Sequence, residues 1–591
     1  MLKLLKNLNK KEKILLAVSI VLIVAEVWLE LKLPDFMSRI TILVQTEGSS
    51  MSEILKEGGF MLLCALGGLI TNLGKGYSAA YIGGSFEKNL RRKVYLKVNS
   101  FSLEEIKKFT TSSLITRSTN DITQIKMLLT LAVQMLAKAP IMAVMAVLKI
   151  LNKQFTFSMI TLAGVAVIII ANFIVTVIAI PKFKKIQTLT DNLNSITREN
   201  LTGLKVIRAY NAYDYSLTKF DEANKNLTGT LLFVQKVLAI IGPIMSSIMQ
   251  FLSLGIYWVG AYLIVHASMM DKLNIFSDMV VFSSYAVQVI MSFMVLIMVF
   301  IMYPRAAVSI KRINEILDTD VKIKDGSISS DKNDIKGEIE FKNVSFKYPD
   351  SNDYILEDIS FKVNKGETLA IIGGTGSGKT TLINLIPRLY DATLGEVLVD
   401  GENVKQMKLD YLYNKLGYIS QKAILFKGSI NENVSFGLSK NGKATEKDIK
   451  EAIDLAQASE FVLKMPDKYE SEISQSGTNI SGGQKQRISI ARALARHPEI
   501  IIFDDSFSAL DYKTDYLLRK ELNNKLKGVT KIIVAQRIGT IKDADKIIVL
   551  DDGKCVGIGT HKELLKNSEV YREIALTQLS KEELEWKVNM E

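Results

Sequence analysis

Apolar residues crowd the first half of this chain into six long windows, at residues 14–33, 58–84, 127–148, 155–180, 237–265 and 279–303. The first is interrupted by Glu26, Glu30 and Lys32, the second by Lys75 and the third by Lys138, while the last three hold no charged residue. Wound as helices rising 1.5 Å per residue, such windows cross ~30 Å of hydrocarbon. The pattern predicts six membrane spans. Charge placement orients them: 26 Lys and Arg fall in residues 1–13, 85–126, 181–236 and just after 303, against 5 in the intervening links. By the positive-inside rule both termini are expected to be cytoplasmic. A basic start before an apolar stretch is also the outline of a signal peptide. Glu26 and Glu30 break that outline and no small-residue cleavage site follows, so a retained first span is expected.

The polar stretches 85–126 and 181–236 run to 42 and 56 residues and read as helical, with few Gly or Pro. Legs of ~20 helical residues would stand about 30 Å beyond the bilayer. Past them the pattern changes. Residues 1–317 form the expected transmembrane domain, and 318–336, polar and holding Gly326, Ser327, Ser329 and Ser330, read as a linker. Short β-type runs at 337–346, 368–372 and 500–503 alternate with helical stretches, which predicts an α/β domain over 337–578 and a tail at 579–591.

Composition agrees with a membrane part joined to a soluble part: 48% hydrophobic, with a mean hydropathy of +0.18. Two cysteines exclude a disulfide framework or a cysteine-rich zinc module, and three histidines leave little for a His-built metal site. The net charge of +12 follows mostly from topology and attraction to anionic lipid. No basic stripe is interleaved with aromatics, so nucleic acid is not an expected partner.

The chemistry concentrates in the second half. Gly373, Gly374, Thr375, Gly376, Ser377, Gly378, Lys379 and Thr380 match G-x-x-x-x-G-K-[ST] after the strand-like 369–372 and before a helical run expected over 381–389. The glycines let backbone N–H groups curl around phosphate oxygens at a helix start. Lys379 would neutralise the β- and γ-phosphates, and Thr380 would offer a hydroxyl to Mg²⁺. Residues 500–503 form an apolar run ending in Asp504, expected to hold Mg²⁺ through water, and Asp505, at the place of a water-polarising carboxylate. Between them Ile480, Ser481, Gly482, Gly483 and Gln484 open a second anion-binding helix, read over 484–495.

Ile480–Gln484 resembles the signature of ABC ATPases, and six spans followed by one ATPase domain resemble the half-transporters of the ABC exporter family along essentially the whole chain. The fold this implies is an α-helical six-span membrane domain plus an α/β P-loop ABC ATPase domain, with ATP and Mg²⁺ as cofactors. Residues 111–121, with Leu114, Arg117, Asn120 and Asp121, resemble the family's first intracellular loop, and 200–210 the second. The resemblance implies that Tyr348 stacks on adenine, with Thr381 beside the phosphate loop. It further implies that Gln421 senses Mg²⁺ and the γ-phosphate, and that Ser508, Ala509, Leu510 and Asp511 face a partner ATPase. The signature would cap the partner's nucleotide.

Two departures bear on hydrolysis. The family usually has Glu after the Mg²⁺-binding Asp, and here Asp505 is one methylene shorter; a misplacement of ~1 Å can cost ~10²-fold in rate. The family usually has His where Gln536 stands, and a neutral amide is neither acid nor base. Gln475 replaces a common Glu before the signature. The residues that grip ATP are intact, so the combination resembles the degenerate-site subunit of heterodimeric bacterial multidrug exporters, with hydrolysis mostly at the partner's site. Two alternatives stay open: a homodimeric exporter with a slow ATPase, and an ATP-gated pore or regulatory subunit. The expected cargo is an amphipathic drug or lipid moving out through a plasma-membrane cavity between two bundles. Glu26, Glu30 and Lys138 are candidates for its lining, with Lys75, Gln134, Gln250, Gln288 and the methionines of the sixth span (Met279, Met291, Met294, Met298, Met302).

Overall fold

The structure, a computed structural model, describes residues 9–46, 48–151, 155–330, 336–437 and 442–579. Lys3 and Lys6 of the basic start, the link 152–154, part of the linker (331–335) and the tail from 580 lie outside the described residues, as do the side chains of Met294 and Met298. The chain forms two units, one comprising residues up to Asn99 with Thr111–Thr319, the other Ser100–Thr110 with the chain from Asp320 onward.

The first unit is helical: α1 (Lys10–Gln45) and α2 (Met51–Asn99), then, beyond α3 (Leu103–Phe109) of the second unit, α4 (Thr111–Ser118), α5 (Asn120–Leu131), a π turn (Ala132–Leu136) and α6 (Lys138–Leu151). It continues with α7 (Phe155–Thr202), α8 (Leu204–Ala209), α9 (Tyr213–His266) and α10 (Met269–Asp318). Among the described residues six helical stretches are long and apolar enough to cross a membrane. The apolar windows are only parts of these helices: the polar stretches expected to be helical extend α2 and α7 and begin α9, and α10 runs on past residue 303 to Asp318. Large apolar side chains such as Leu62, Leu63, Ile70 and Phe173 are exposed, as lipid-facing helix surfaces require.

Proline shapes the core of this unit. Pro34 lies inside α1 and has no N–H, so the Glu30 carbonyl loses its helical donor. The Gln288 amide of α10 donates to that carbonyl at 3.4 Å, and Tyr285, one turn earlier, donates to the Leu31 carbonyl at 3.1 Å and to Asp35 at 2.9 Å. Phe157, Ile256, Phe282 and Val27 close around these contacts. The residues that resemble the first intracellular loop bind α10: Arg117 donates to the Arg312 carbonyl at 2.8 Å, and Asp121 accepts from Ser309 at 2.7 Å.

The second unit holds a four-stranded antiparallel sheet of β1 (Ile339–Phe346), β2 (Leu356–Val363), β4 (Leu394–Val399) and β5 (Glu402–Asn403), ordered β2-β1-β4-β5. A six-stranded sheet holds β3 (Thr368–Gly373), β6 (Leu416–Ile419), β9 (Ile500–Asp504), β10 (Thr530–Val534), β11 (Lys546–Asp551) and β12 (Lys554–Gly559). Its order is β12-β11-β3-β10-β9-β6, parallel except for β12. The two-residue strands β7 (Gly428–Ser429) and β8 (Glu472–Ile473) pair beside it.

Three boundaries differ from the sequence reading. Ser100–Thr110 belongs to the second unit, because Ser102 caps α3 and the buried Glu105 carboxylate accepts from Ser102 and, at 3.2 Å, from the Lys322 backbone. Those bonds hold Glu105 below its ordinary pKa against the opposing effect of burial. The expected linker is ordered where described: Ser327 and Ile328 both donate to the Gln406 carbonyl at 2.9 Å. The helix after the phosphate loop, α11 (Lys379–Asn384), is shorter than 381–389, since Pro387 disfavours helical backbone at Ile386 and Arg388 turns to a positive φ.

Candidate functional site

The parallel strands β3, β10, β9 and β6 end on one edge of the sheet, and that edge gathers residues from four parts of the chain. β3 delivers the phosphate loop. Gly373 admits no side chain, because a Cβ would stand 2.1 Å from the Leu550 carbonyl, and Gly376 and Gly378 adopt φ of +88° and +92°. Only glycine makes that curl without strain. The Lys379 ammonium lies inside the curl, donating to the Gly373 and Gly374 carbonyls at 2.9 and 2.6 Å. Burial pushes its pKa below the ordinary value, opposed by the charges of Asp505 and Asp504.

β9 ends in Asp504, whose carboxylate accepts from Thr380 Oγ1 at 2.9 Å. Asp505 follows at a φ of +46°, and its backbone N–H bonds the Val534 carbonyl of β10. One oxygen of Asp505 accepts from two amides, Gln421 beyond β6 at 3.2 Å and Gln536 beyond β10 at 3.0 Å. The two residues that depart from the family pattern are therefore bonded to each other. Burial raises the pKa of both carboxyls.

Tyr348 stands edge-on to Phe346 and Tyr390, and its hydroxyl is 3.0 Å from that of Thr381. The Lys107 ammonium of α3 lies 4.7 Å from the Tyr348 ring centre. A small cavity of about 280 Å³ adjoins this cluster, lined by Ser102, Lys322, Tyr348 and Tyr390.

The signature opens α12 (Gly482–Leu494), two residues earlier than expected, because Ser481 is its N-cap: Ser481 Oγ accepts from the Gln484 N–H at 3.3 Å, and the Ser481 N–H donates to Gln484 Oε1 at 2.9 Å. Ile480 is partly buried against the core, and Ser481 and Gly482 are exposed. Gly483 lies against the neighbouring loop, since a Cβ there would meet the Ala509 carbonyl at 3.3 Å. In that loop Leu510 is buried, Ser508 and Ala509 are exposed, and Asp511 accepts from the Thr514 N–H at 2.9 Å. Signature and loop thus form one exposed face.

Several contacts were not foreseen from sequence. Tyr418 donates to Asn384 at 3.0 Å with Asp504 3.5 Å away, Gln578 donates to the Gln536 carbonyl at 2.7 Å, and Lys107 covers Tyr348. No motif surrounds these residues; each is defined only by where the chain folds.

In the membrane unit Glu26, Glu30, Lys75, Lys138, Gln134 and Gln288 line one cavity of about 620 Å³. Gln250 is exposed on α9 and takes no part. Of the methionines, Met291 lines the cavity and Met279 is buried in the core.

Comparison with known proteins gives one answer for both units. Residues 356–508 match the family described as ABC transporter, and residues 16–293 the ABC transporter transmembrane region. The chain is 34% identical to an uncharacterized ABC transporter ATP-binding protein of Mycobacterium tuberculosis, over 88% of this chain and 87% of the relative. It is 32% identical to the uncharacterized ABC transporter ATP-binding protein YfiB of Bacillus subtilis, over 97% and 98%. A solved structure of a bacterial Atm1-family ABC exporter with ATP bound is similar in fold, with a TM-score of 0.80 and 23% identity over 96% of this chain and 98% of that one.

Proposed function

The chain belongs to the ABC transporter family, as an ATP-hydrolysing half-transporter with a transmembrane domain ahead of an ATPase domain, and on that premise we propose that it is the slow-site subunit of a heterodimeric exporter. In this reading Lys379 and the loop amides hold the phosphates, and Tyr348 stacks on adenine. Thr380, Asp504 and Gln421 supply oxygen donors of the kind Mg²⁺ takes, and Thr380 Oγ1 and Asp504 already stand 2.9 Å apart. A magnesium ion held there would neutralise phosphate charge. The observation that carries the slow-site reading is the double amide clamp on one oxygen of Asp505. The carboxylate is held back by Gln421 and Gln536, one methylene short of its usual reach. Gln536 gives an amide N–H to that clamp, and a neutral amide is neither acid nor base.

Partnership with a second half-transporter is supported by exposed surface. α8 has no buried side chain, and Leu201, Val206, Tyr210 and Tyr213 around it are all exposed, as is the signature face. Apolar side chains exposed along one short stretch of chain are what a partner would cover. Both termini cytoplasmic, a bacterial plasma membrane and amphipathic cargo complete the reading.

The test is reconstitution. Vesicles holding this chain and a mate that carries Glu and His at the corresponding positions should accumulate an amphipathic dye only when ATP is supplied. ATP-dependent dye movement by this chain alone, at the rate of the pair, would overturn the heterodimer. A smaller effect is expected at Lys107. A cation over an aromatic face is worth ~0.5–1 kcal/mol, so Lys107→Met should raise the KM for ATP by roughly two- to fivefold, with kcat at saturating ATP unchanged. Steady-state kinetics of the assembled transporter read both constants.

A further inference from the structure

The 620 Å³ cavity of the membrane unit is bounded by α1, α2, α6, α10 and the π turn that precedes α6. Its size is that of a small-molecule site, and π turns recur at functional positions. Four charged groups form one wall. Glu26 is buried and both its carboxylate oxygens are taken, Oε2 by Lys75 Nζ at 2.6 Å and Oε1 by Lys138 Nζ at 2.8 Å. Lys138 Nζ also binds Glu30 Oε1 at 2.7 Å. The charges of the four cancel. The two pairs differ in access: the Lys75 and Glu26 side chains are 7% and 2% exposed, whereas Lys138 and Glu30 are 26% and 33% exposed. The outer pair is what a ligand meets.

Gln288, which lines the cavity, keeps one polar atom unspent. Gln288 commits its Nε2 to the Glu30 carbonyl freed by Pro34, which fixes the amide's orientation, and its Oε1 is buried with no hydrogen-bond partner. A buried acceptor left unpaired costs free energy that a donor would return. Met135, Met142, Val287 and Met291 make the remaining surface apolar and adaptable.

This balance selects among ligands. A lone cation or lone anion would bring an uncompensated charge out of water into a wall of zero net charge. A ligand carrying both charges can exchange partners instead. Its ammonium takes Glu30 and offers an N–H to Gln288 Oε1, its acidic oxygen takes Lys138, and no charge is left unpaired. We propose that this cavity binds a zwitterionic amphiphile, with a primary ammonium and an acidic oxygen group on an apolar body. The proposal deepens the transport reading and rests on it for the statement that this ligand is cargo.

The test uses the full-length chain in phosphatidylcholine nanodiscs and reads binding from the dose-dependent rise of the unfolding midpoint. Lysophosphatidylethanolamine and ε-lauroyl-lysine carry the proposed head on a lipid and on an amino acid. Lysophosphatidylcholine lacks the N–H, dodecylamine is a cation alone, and dodecyl phosphate is an anion alone. At least one of the first two should bind roughly tenfold more tightly than the last three, and which of them does so identifies a lipid or an amino-acid source. Glu30→Gln and Lys138→Gln should each abolish the preference, and Gln288→Leu should weaken the ammonium ligands alone. Equal binding of dodecylamine, dodecyl phosphate or lysophosphatidylcholine would overturn the proposal, as would a preference retained in Glu30→Gln or Lys138→Gln protein that melts like the wild type. Should those two variants fail to fold, the ranking on the unaltered chain and the Gln288→Leu result decide. Retention of labelled ATP, measured on the same nanodiscs, separates the two readings. Protein that holds ATP but does not rank the probes sinks the cavity proposal alone, and protein that holds no ATP sinks the transport reading.

Discussion

Ser481→Ala should lower the steady-state ATPase rate of the assembled transporter by ~10²-fold, while Asp505→Asn should change it by less than about threefold. The contrast follows from which nucleotide each residue serves. Ser481 caps α12 with its hydroxyl, and that helix start is exposed on the same face as Ser508 and Ala509. In the proposed heterodimer this donor set would complete the mate's site, so its loss would strike the fast site of the pair. On the same proposal Asp505 would serve this chain's own nucleotide, where the bonds from Gln421 and Gln536 would already limit the carboxylate. Asn keeps the size and loses little rate where little was present. Rates of the two variant complexes, measured at saturating ATP, check this. Equal losses of ~10² would mean that both sites turn over alike, and the homodimeric alternative would then stand.

Lys379→Ala should weaken nucleotide retention by this chain by ~10²- to 10³-fold. The ammonium is half-buried and donates to two carbonyls and the Ser377 hydroxyl, and burial already depresses its pKa against the charges of Asp505 and Asp504. Phosphate oxygens arriving in the loop give that cation its missing compensation, a charge-assisted contact about twice as strong as a neutral one. Lys379→Arg should not rescue binding, because a planar guanidinium does not fit a curl closed by Gly373 against the Leu550 carbonyl. The unfolding midpoint without nucleotide should be unchanged, which separates lost binding from lost folding. Labelled ATP retained by Lys379→Ala at wild-type affinity would remove the basis of the ATP reading.

The phosphate loop, Asp504 and the signature were legible because their chemistry is local. A phosphate cradle needs glycines and a lysine within eight consecutive residues, and an acid at the end of an apolar strand announces itself by position. The six spans were legible for the same reason, since a bilayer is crossed by uninterrupted apolar stretches. What failed locally failed for stated causes. Pro387 cut α11 short, the Ser102 and Glu105 bonds moved Ser100–Thr110 out of the membrane unit, and Ser481 started α12 early.

Sequence by itself determined that this chain grips nucleotide and spans a membrane, since both capacities reside in contiguous runs of residues. Folding alone decided that Gln536 restrains Asp505, that Lys107 covers Tyr348, and that Glu26 shares its charge between Lys75 and Lys138. Those partners lie 31 to more than 200 residues apart along the chain. The physical reason is that a hydrogen bond or ion pair depends on ångström separations, which parallel strands and packed helices set and residue order does not.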